Sequence, residues 1–149
     1  MLTNLQPQPS AVGRQCRHNL VYWRREPYLG FGAGAHSFDC EAERRWWNVK
    51  PVPAYIGRIS AGETAEAEGE TIDPRLAMGE TMMLGLRLVE EGVADARFQA
   101  LFGVGLEAAF GPEIRRLVAR GLLERLPDRV RLTPGGRLLG NQVFAAFLP

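Results

Sequence analysis

Signals that start and stop helices follow one another through the second half of the chain and most strongly constrain its fold. Asp73-Pro74 joins a side-chain acceptor for free backbone N–H groups to a residue that suits the first helical position. Apolar residues at helical spacing follow, and Gly92 marks the expected end of this longest helix. The same spacing predicts a helix with Phe98 that ends at Gly103, a short helical turn with Phe110, and a further helix that opens at Pro112 and ends at Gly121. Phe147 lies at helical spacing in the last predicted helix.

The next stretch predicts a β-hairpin and a final helix. Leu122–Leu126 and Arg129–Leu132 flank Pro127-Asp128, and the second run alternates Arg-Val-Arg-Leu, which is typical of a half-buried strand. Thr133-Pro134 then supplies an N-cap and a first helical residue. The order helix, helix, helix, hairpin, helix is that of a winged helix, and the predicted fold class is α+β, mainly α.

The first half of the chain gives weaker signals. Residues 1–15 are polar and contain two prolines, so we expect an irregular or disordered arm. The other expectations, in chain order, are a loop feeding a short strand at Arg17–Trp23, short extended pieces at Tyr28–Phe31 and Trp46–Val49, a helix at Pro51–Ala61 and an acidic linker at Gly62–Thr71.

A small-residue run, Gly30-Phe31-Gly32-Ala33-Gly34-Ala35-His36-Ser37, follows the second of these pieces. Glycines allow tight turns and the close approach of another group to the backbone. The run is therefore either a turn at a sheet edge or a backbone cradle for a ligand. It lacks the third glycine and the following helix of the dinucleotide-binding pattern.

Composition excludes several classes. The chain has 149 residues, of which 46% are hydrophobic and 23% charged, as in an ordinary globular domain. It has no run of 18 apolar residues and no secretory signal, so we expect no membrane span and a cytoplasmic location. Cys16 and Cys40 lie far apart without zinc or iron–sulfur spacing, which favours reduced thiols.

Charge leaves a DNA-binding alternative open. The net charge is +1, which gives no overall attraction to nucleic acid. Residues 111–137 nevertheless carry seven Arg against three acidic residues, as a phosphate-contacting winged helix would. The third helix has no Lys, Asn or Gln for base edges, so a solvated face is the favoured interpretation and nucleic acid is not an expected partner.

Two motifs together resemble a known family. They are His18-Asn19-x-x-Tyr22-Trp23 and Tyr28-Leu29 with the glycine run to Ser37, followed by Arg45–Asn48. They are similar to the oxygen-independent coproporphyrinogen III oxidase-like radical SAM family, and most to its HemW-like heme chaperone branch. Gly121-Leu122-Leu123-Glu124 and Leu132-Thr133-x-x-Gly136 resemble the C-terminal domain of that family.

The resemblance implies a longer parent with a radical SAM partial barrel and a [4Fe–4S] cluster on Cys-x3-Cys-x2-Cys, which this chain lacks. We therefore expect a C-terminal fragment that is not catalytic alone, since reductive cleavage of S-adenosylmethionine needs the cluster. The implied organisation is an arm at 1–15, a remnant barrel edge at 16–50 and a HemN-type helical domain with a winged-helix-like end at 51–149.

The resemblance also implies site residues. His18, Asn19, Tyr22 and Trp23 would bind heme, with the His18 imidazole as a candidate ligand to the iron. Gly32, Ala33 and Gly34 would lie at the S-adenosylmethionine end of the barrel. His36 is either a second polar contact or structural, and Arg44 and Arg45 are either partners of heme propionates or simply solvated.

The implied function is the holding and transfer of heme. Implied partners are heme, the missing radical SAM domain or a heme-accepting protein, and a second copy bound through the exposed barrel edge. Two alternatives remain open. One is part of an oxygen-independent coproporphyrinogen III oxidase of porphyrin biosynthesis; the other is a winged-helix DNA-binding module.

Overall fold

The computed structural model describes residues 16–149. They form two compact units, which we call the helical unit (residues 16–25 and 74–149) and the sheet unit (Glu26–Asp73). The predicted arm lies outside the described residues, and the predicted boundaries at 15/16 and 50/51 stay predictions. The elements in chain order are α1 (Arg17–Trp23), β1 (His36–Asp39), β2 (Arg44–Asn48), α2 (Val52–Ser60), β3 (Glu66–Thr71), α3 (Pro74–Gly85), β4 (Val93–Ala94), α4 (Asp95–Phe102), α5 (Leu106–Ala119), β5 (Leu123–Arg125), β6 (Arg129–Leu132), α6 (Pro134–Leu138) and α7 (Gly140–Ala145).

A hydrophobic core joins the helices of the helical unit to a small antiparallel sheet with the strand order β4-β6-β5. Phe98, Phe110 and Phe147 are fully or almost fully buried. The Phe110 ring meets Phe147 edge-on at 5.2 Å between centroids and Phe98 at 6.2 Å. These rings lie at the positions that helical spacing placed on the apolar faces, so the mixed helix-and-strand prediction is confirmed for this part of the chain.

Several predicted helix boundaries are confirmed. Gly103 adopts a left-handed conformation with φ of 73°, and Thr133 Oγ1 accepts a hydrogen bond from the Gly136 N–H at 2.9 Å. The expected break before Pro112 appears as a kink in α5 at Phe110, whose φ of −141° is not helical. Gly136 lies against the chain before β5: a Cβ there would stand 1.9 Å from Leu122 O.

The sheet unit contains a three-stranded antiparallel sheet in the order β1-β2-β3, with helix α2 between β2 and β3 along the chain. Phe38, Val49, Ala65 and Ile72 are its buried apolar side chains. Helix α2, within the predicted range Pro51–Ala61, is amphipathic but has no buried residue. Its apolar stripe is instead exposed, at 58% for Val52, 56% for Ile56 and 52% for Ile59.

Three segment predictions are wrong. Arg17–Trp23 is a helix and not a loop leading into a strand, because contacts of α1 within the helical unit override the strand propensity of its side chains. Gly62–Thr71 is not a linker, because Glu66–Thr71 pairs with β2 and its glutamates meet arginines there. Tyr28–Phe31 is not a full strand; Tyr28 alone forms a bridge, to Phe38.

The helix ends also differ from expectation at two places. Helix α3 stops at Gly85 and not at Gly92, since the N–H groups of Arg87 and Leu88 bond three residues back and these tighter turns bury Leu88 and Val89. The final helix is divided into α6 and α7 at Leu139. None of the helices among residues 16–149 combines the length and apolarity that crossing a membrane requires.

Candidate functional site

Helix α1 gathers the four predicted heme-binding residues on one side. His18 and Tyr22 are four residues apart, as are Asn19 and Trp23, so the two pairs occupy adjacent rows of the helix surface. The His18 and Tyr22 rings meet edge to face, with 4.9 Å between centroids and 83° between planes. His18 is exposed, and neither of its ring nitrogens bonds to a residue among 16–149. An imidazole so placed can ligate an iron ion from solvent.

The other end of α1 is firmly anchored within the helical unit. Arg24 forms an ion pair with Glu91 at 2.8 Å, and the Arg97 guanidinium donates to Arg24 O. Arg25 lies 3.6 Å from Glu80, and its side chain is only 6% exposed. Since Arg24 and Arg25, the two residues that follow α1, are held by fixed partners, the helix presents His18 in a defined position.

A cavity next to α1 is too small for a macrocycle. It measures about 120 Å³ and is lined by Trp23, Leu88, Phe98 and other residues of the helical unit. Pockets for drug-sized ligands have about 300–1,000 Å³. His18 is not among the residues that line this cavity. Trp23 Nε1 is buried without an acceptor among the described residues, so this indole serves mainly as packing.

The predicted cofactor residues Gly32, Ala33 and Gly34 lie in the sheet unit, in a tightly bonded turn. Gly32 and Gly34 have φ of 109° and 68°, values that other residues rarely adopt. The Gly32 N–H donates to Tyr55 Oη at 3.2 Å and the Gly34 N–H to Val49 O at 2.9 Å. These bonds support the turn interpretation. A ligand cradle would need the backbone N–H groups of residues 32–34, and two of these three donors already bond to acceptors within the chain.

Two buried polar side chains fix this turn, and sequence reasoning gave neither of them this role. Asn48 donates to Gly30 O at 3.3 Å and to Gly32 O at 2.9 Å, and Ser37 Oγ accepts from the Gly30 N–H at 3.0 Å. Asn48 is 9% exposed and Ser37 is 2% exposed. The only signal in the sequence is that Asn48 and Ser37 are polar residues within apolar, strand-like stretches. Such a position indicates a buried hydrogen bond but does not reveal that the partner is the backbone of the glycine run.

The arginines considered for propionates both have acidic partners. Arg44 is bonded to the Glu66 carboxylate, and the Arg45 guanidinium lies 3.5 Å from Glu70. Arg44 also covers the Trp46 ring, with 5.2 Å from its guanidinium carbon to the ring centroid. The two bases of β2 are thus matched by the glutamates of β3.

Acidic residues also neutralise most of the basic stretch at 111–137. Glu107 binds both Arg115 and Arg125, Asp128 binds Arg129, and Glu124 binds Arg131. The hydrogen bond from Arg125, with further attraction from Arg115, lowers the pKa of the Glu107 carboxyl. The bond from Arg129 likewise lowers the pKa of Asp128. Five of the seven arginines of this stretch thus have an acidic partner, counting Arg137 beside Glu90, whereas Arg116 and Arg120 of α5 have none among residues 16–149.

Known proteins share both the fold and the sequence. Residues 72–139 match the model of the HemN C-terminal domain. Heme chaperone HemW of Bacillus subtilis is 38% identical over 137 residues, 92% of this chain and 35% of that protein. HemW of Lactococcus lactis is 34% identical over 91% of this chain and 35% of that protein. HemW of Mycobacterium tuberculosis is 36% identical over 91% of this chain and 32% of that protein.

A solved structure agrees at the level of fold. Coproporphyrinogen III oxidase (HemN) from Escherichia coli, described as a radical SAM enzyme, superposes with a TM-score of 0.61 over 82% of this chain and 28% of that chain, at 17% identity. The chain spans about a third of the length of the curated relatives it matches. The resemblance inferred from the motifs is confirmed: residues 72–139 match the HemN C-terminal domain, and likeness to heme chaperone HemW extends over nine-tenths of the chain.

Proposed function

We propose that this chain supplies a heme-binding part of a radical SAM family heme chaperone, with His18 as a ligand to the iron of the transported heme. The observation that carries the proposal is the exposed His18 imidazole, edged by Tyr22 on a helix whose other end is fixed by Arg24 and Arg25. The names of the relatives, heme chaperone HemW, favour the same cargo.

Each of the four α1 residues has a different role in this proposal. The His18 ring nitrogen binds iron from the solvent side, and the Tyr22 ring restricts the rotation of the imidazole. Trp23 packs α1 into the helical unit, and Asn19, next to His18 on the helix, borders the macrocycle. An open surface site of this kind suits transfer, because heme can leave without the opening of a closed pocket.

The glycine run has a separate role in the proposal. In a full-length protein with a radical SAM barrel, residues 32–34 would lie at the S-adenosylmethionine end. Of these three residues, Ala33 is the one whose N–H has no acceptor among residues 16–149. We therefore assign any cofactor contact of this loop to Ala33 and give Gly32 and Gly34 the task of shaping the turn.

Finer features of the fold belong to the same proposal. Helices α3, α4 and α5 followed by the pair β5–β6 support a winged-helix-like end. The strands β1–β3 pair antiparallel, unlike the parallel strands of a (β/α) barrel, so the remnant barrel edge stays a prediction from the sequence. Dimerisation through the edge strand β3 stays part of the proposal, since Glu66 and Glu70 of that strand are paired with Arg44 and Arg45 within the chain. DNA binding is disfavoured by the acidic partners of Arg125, Arg129 and Arg131.

Heme titration of the purified chain tests the proposal through the Soret band. His18→Ala should weaken heme binding at α1 by about tenfold or more and should remove the spectral signature of its imidazole ligand. Cys16→Ser is the matched control, since Cys16 is exposed just before α1 and offers the competing thiolate ligand. A spectrum that is unaffected by His18→Ala would contradict the assignment. Turnover of coproporphyrinogen by a full-length parent would favour the oxidase alternative.

A further inference from the structure

The cavity next to α1 contains a hydrogen-bond donor that its packing role leaves unused. Trp23 lines this cavity, and its Nε1 is buried without an acceptor among residues 16–149. Buried polar groups are nearly always bonded, because an unpaired one has lost its water without gaining another partner. A molecule that brings an oxygen acceptor into the cavity would therefore be stabilised there.

Positive charge at the same cavity favours an acceptor that is an anion. The lining includes Arg24, Arg97, Arg129 and one acidic residue, Glu91. Arg24 is paired with Glu91 at 2.8 Å, and Arg129 is paired with Asp128 at 2.7 Å. Arg97 is exposed, donates to Arg24 O and has no acidic partner in the part of the chain that the structure describes. Since a guanidinium has five N–H groups, Arg97 keeps donors for an anion that enters from solvent.

The rest of the lining sets the size and the character of this anion. Leu88, Val93 and Phe98 line the cavity and are buried, so much of its surface is apolar. The cavity measures about 120 Å³, and a water-sized group needs about 10–15 Å³. It therefore has room for a carboxylate with a short aliphatic chain. A phosphate fits less well, because its further oxygens would lie against apolar side chains without donors.

We propose that this cavity binds a short aliphatic carboxylate. Arg97 donates to one carboxylate oxygen, Trp23 Nε1 donates to the other, and the aliphatic chain packs on Leu88 and Phe98. This chemistry has two sources, a free short-chain acid and a propionate arm of heme. The inference stands apart from the proposed function, since it involves neither iron nor His18.

The test follows the indole N–H resonances of the full chain by NMR during titration with sodium propionate. The Trp23 resonance should move downfield and saturate with a millimolar dissociation constant, while Trp46 and Trp47 of the sheet unit serve as internal controls. Propionamide has nearly the same shape but no charge and should bind at least about tenfold more weakly. Arg97→Gln should weaken propionate by about tenfold, and Arg120→Gln, at an exposed arginine of α5 that does not line the cavity, should leave it unchanged.

Three results would overturn the proposal. A Trp23 resonance that propionate does not move would show a cavity filled by water only. Equal binding of propionate and propionamide would remove the role of charge, and so would equal affinities in Arg97→Gln and Arg120→Gln. Arg97→Lys keeps the charge and should restore most of the affinity, which separates lost binding from a disturbance of the contact between Arg97 and Arg24 O.

Zinc protoporphyrin IX and its dimethyl ester distinguish the two sources of the carboxylate. Competition with propionate at Trp23 that the ester does not reproduce assigns the cavity to a heme propionate, and any other result assigns it to a free acid. His18→Ala should leave the response to sodium propionate unchanged. Failure of heme binding at α1 and failure of this inference are therefore seen in different measurements.

Discussion

Replacing Asn48 by leucine should loosen the glycine turn without unfolding the helical unit. The Asn48 amide bonds to Gly30 O and Gly32 O, and the side chain is 9% exposed. Leucine has a similar volume but no donor, so both carbonyl groups lose this partner. A net hydrogen bond contributes about 0.5–1.5 kcal/mol, and a buried group left without a partner costs about 1–3 kcal/mol. We expect a loss of about 2–3 kcal/mol in the stability of the turn.

Hydrogen exchange measures this loss at the turn itself. Gly34 is the best reporter, since its N–H bonds to Val49 O at 2.9 Å within the same turn. Each 1.36 kcal/mol of lost stability speeds the exchange of this amide about tenfold, so a loss of about 2–3 kcal/mol corresponds to about 30- to 150-fold faster exchange. Asn141→Leu makes the same chemical change at an exposed position of α7 and should leave Gly34 unaffected. Unchanged protection of Gly34 in Asn48→Leu would refute the argument that this side chain fixes the turn.

Three further predictions concern the helical unit. Phe110→Ala should lower its free energy of unfolding by about 3–5 kcal/mol, as a shift in the urea midpoint, because it empties a fully buried site. Glu107→Gln should make the urea midpoint less dependent on pH below about 4.3, the usual pKa of a glutamate carboxyl. The hydrogen bond from Arg125 lowers the pKa of Glu107 in the folded protein. The stabilisation from this carboxylate is therefore fully present above the usual pKa and is lost as the pH falls through the folded-state pKa. Thr133→Ala should cost about 1 kcal/mol in thermal unfolding, because the Gly136 N–H loses its cap, and Thr133→Ser should restore most of it.

Each of these has an outcome that contradicts it. Leu138→Ala is the control for Phe110→Ala, since Leu138 is 88% exposed, and equal midpoints for the two variants would show that the ring is not in the core. An unchanged pH profile in Glu107→Gln would mean that its ion pairs do not form in solution. Equal losses for the alanine and serine variants of Thr133 would exclude the hydroxyl as a cap.

The core of the helical unit could be predicted because the period of its apolar residues equals the period of the helices that bury them. Phe98 and Phe110 follow directly from that pattern. Helix α1 could not be predicted, because its side chains favour strands. The ion pairs next to it involve Glu80 and Glu91, which are far away along the chain and give no local signal. The strand nature of β3 depends in the same way on arginines of β2.

The candidate site was accessible only in part. The motif His18-Asn19-x-x-Tyr22-Trp23 selected the residues, but the contact between the His18 and Tyr22 rings requires a helix, which the sequence did not indicate. Pairing of His36 with Trp47 likewise depends on the register of β1 and β2, which no local pattern specifies. Local patterns predict elements, whereas these sites depend on which elements become neighbours.

The position of Gly136 affects how the signature Leu132-Thr133-x-x-Gly136 should be used. Any side chain at Gly136 would collide with Leu122 O, and Thr133 caps the helix that brings the two segments together. The signature therefore marks a place where two backbones cross, and selection would retain it in proteins that handle quite different molecules. A genome search for carriers of heme should accordingly treat the Leu-Thr-x-x-Gly match as a record of shared architecture and not of shared cargo.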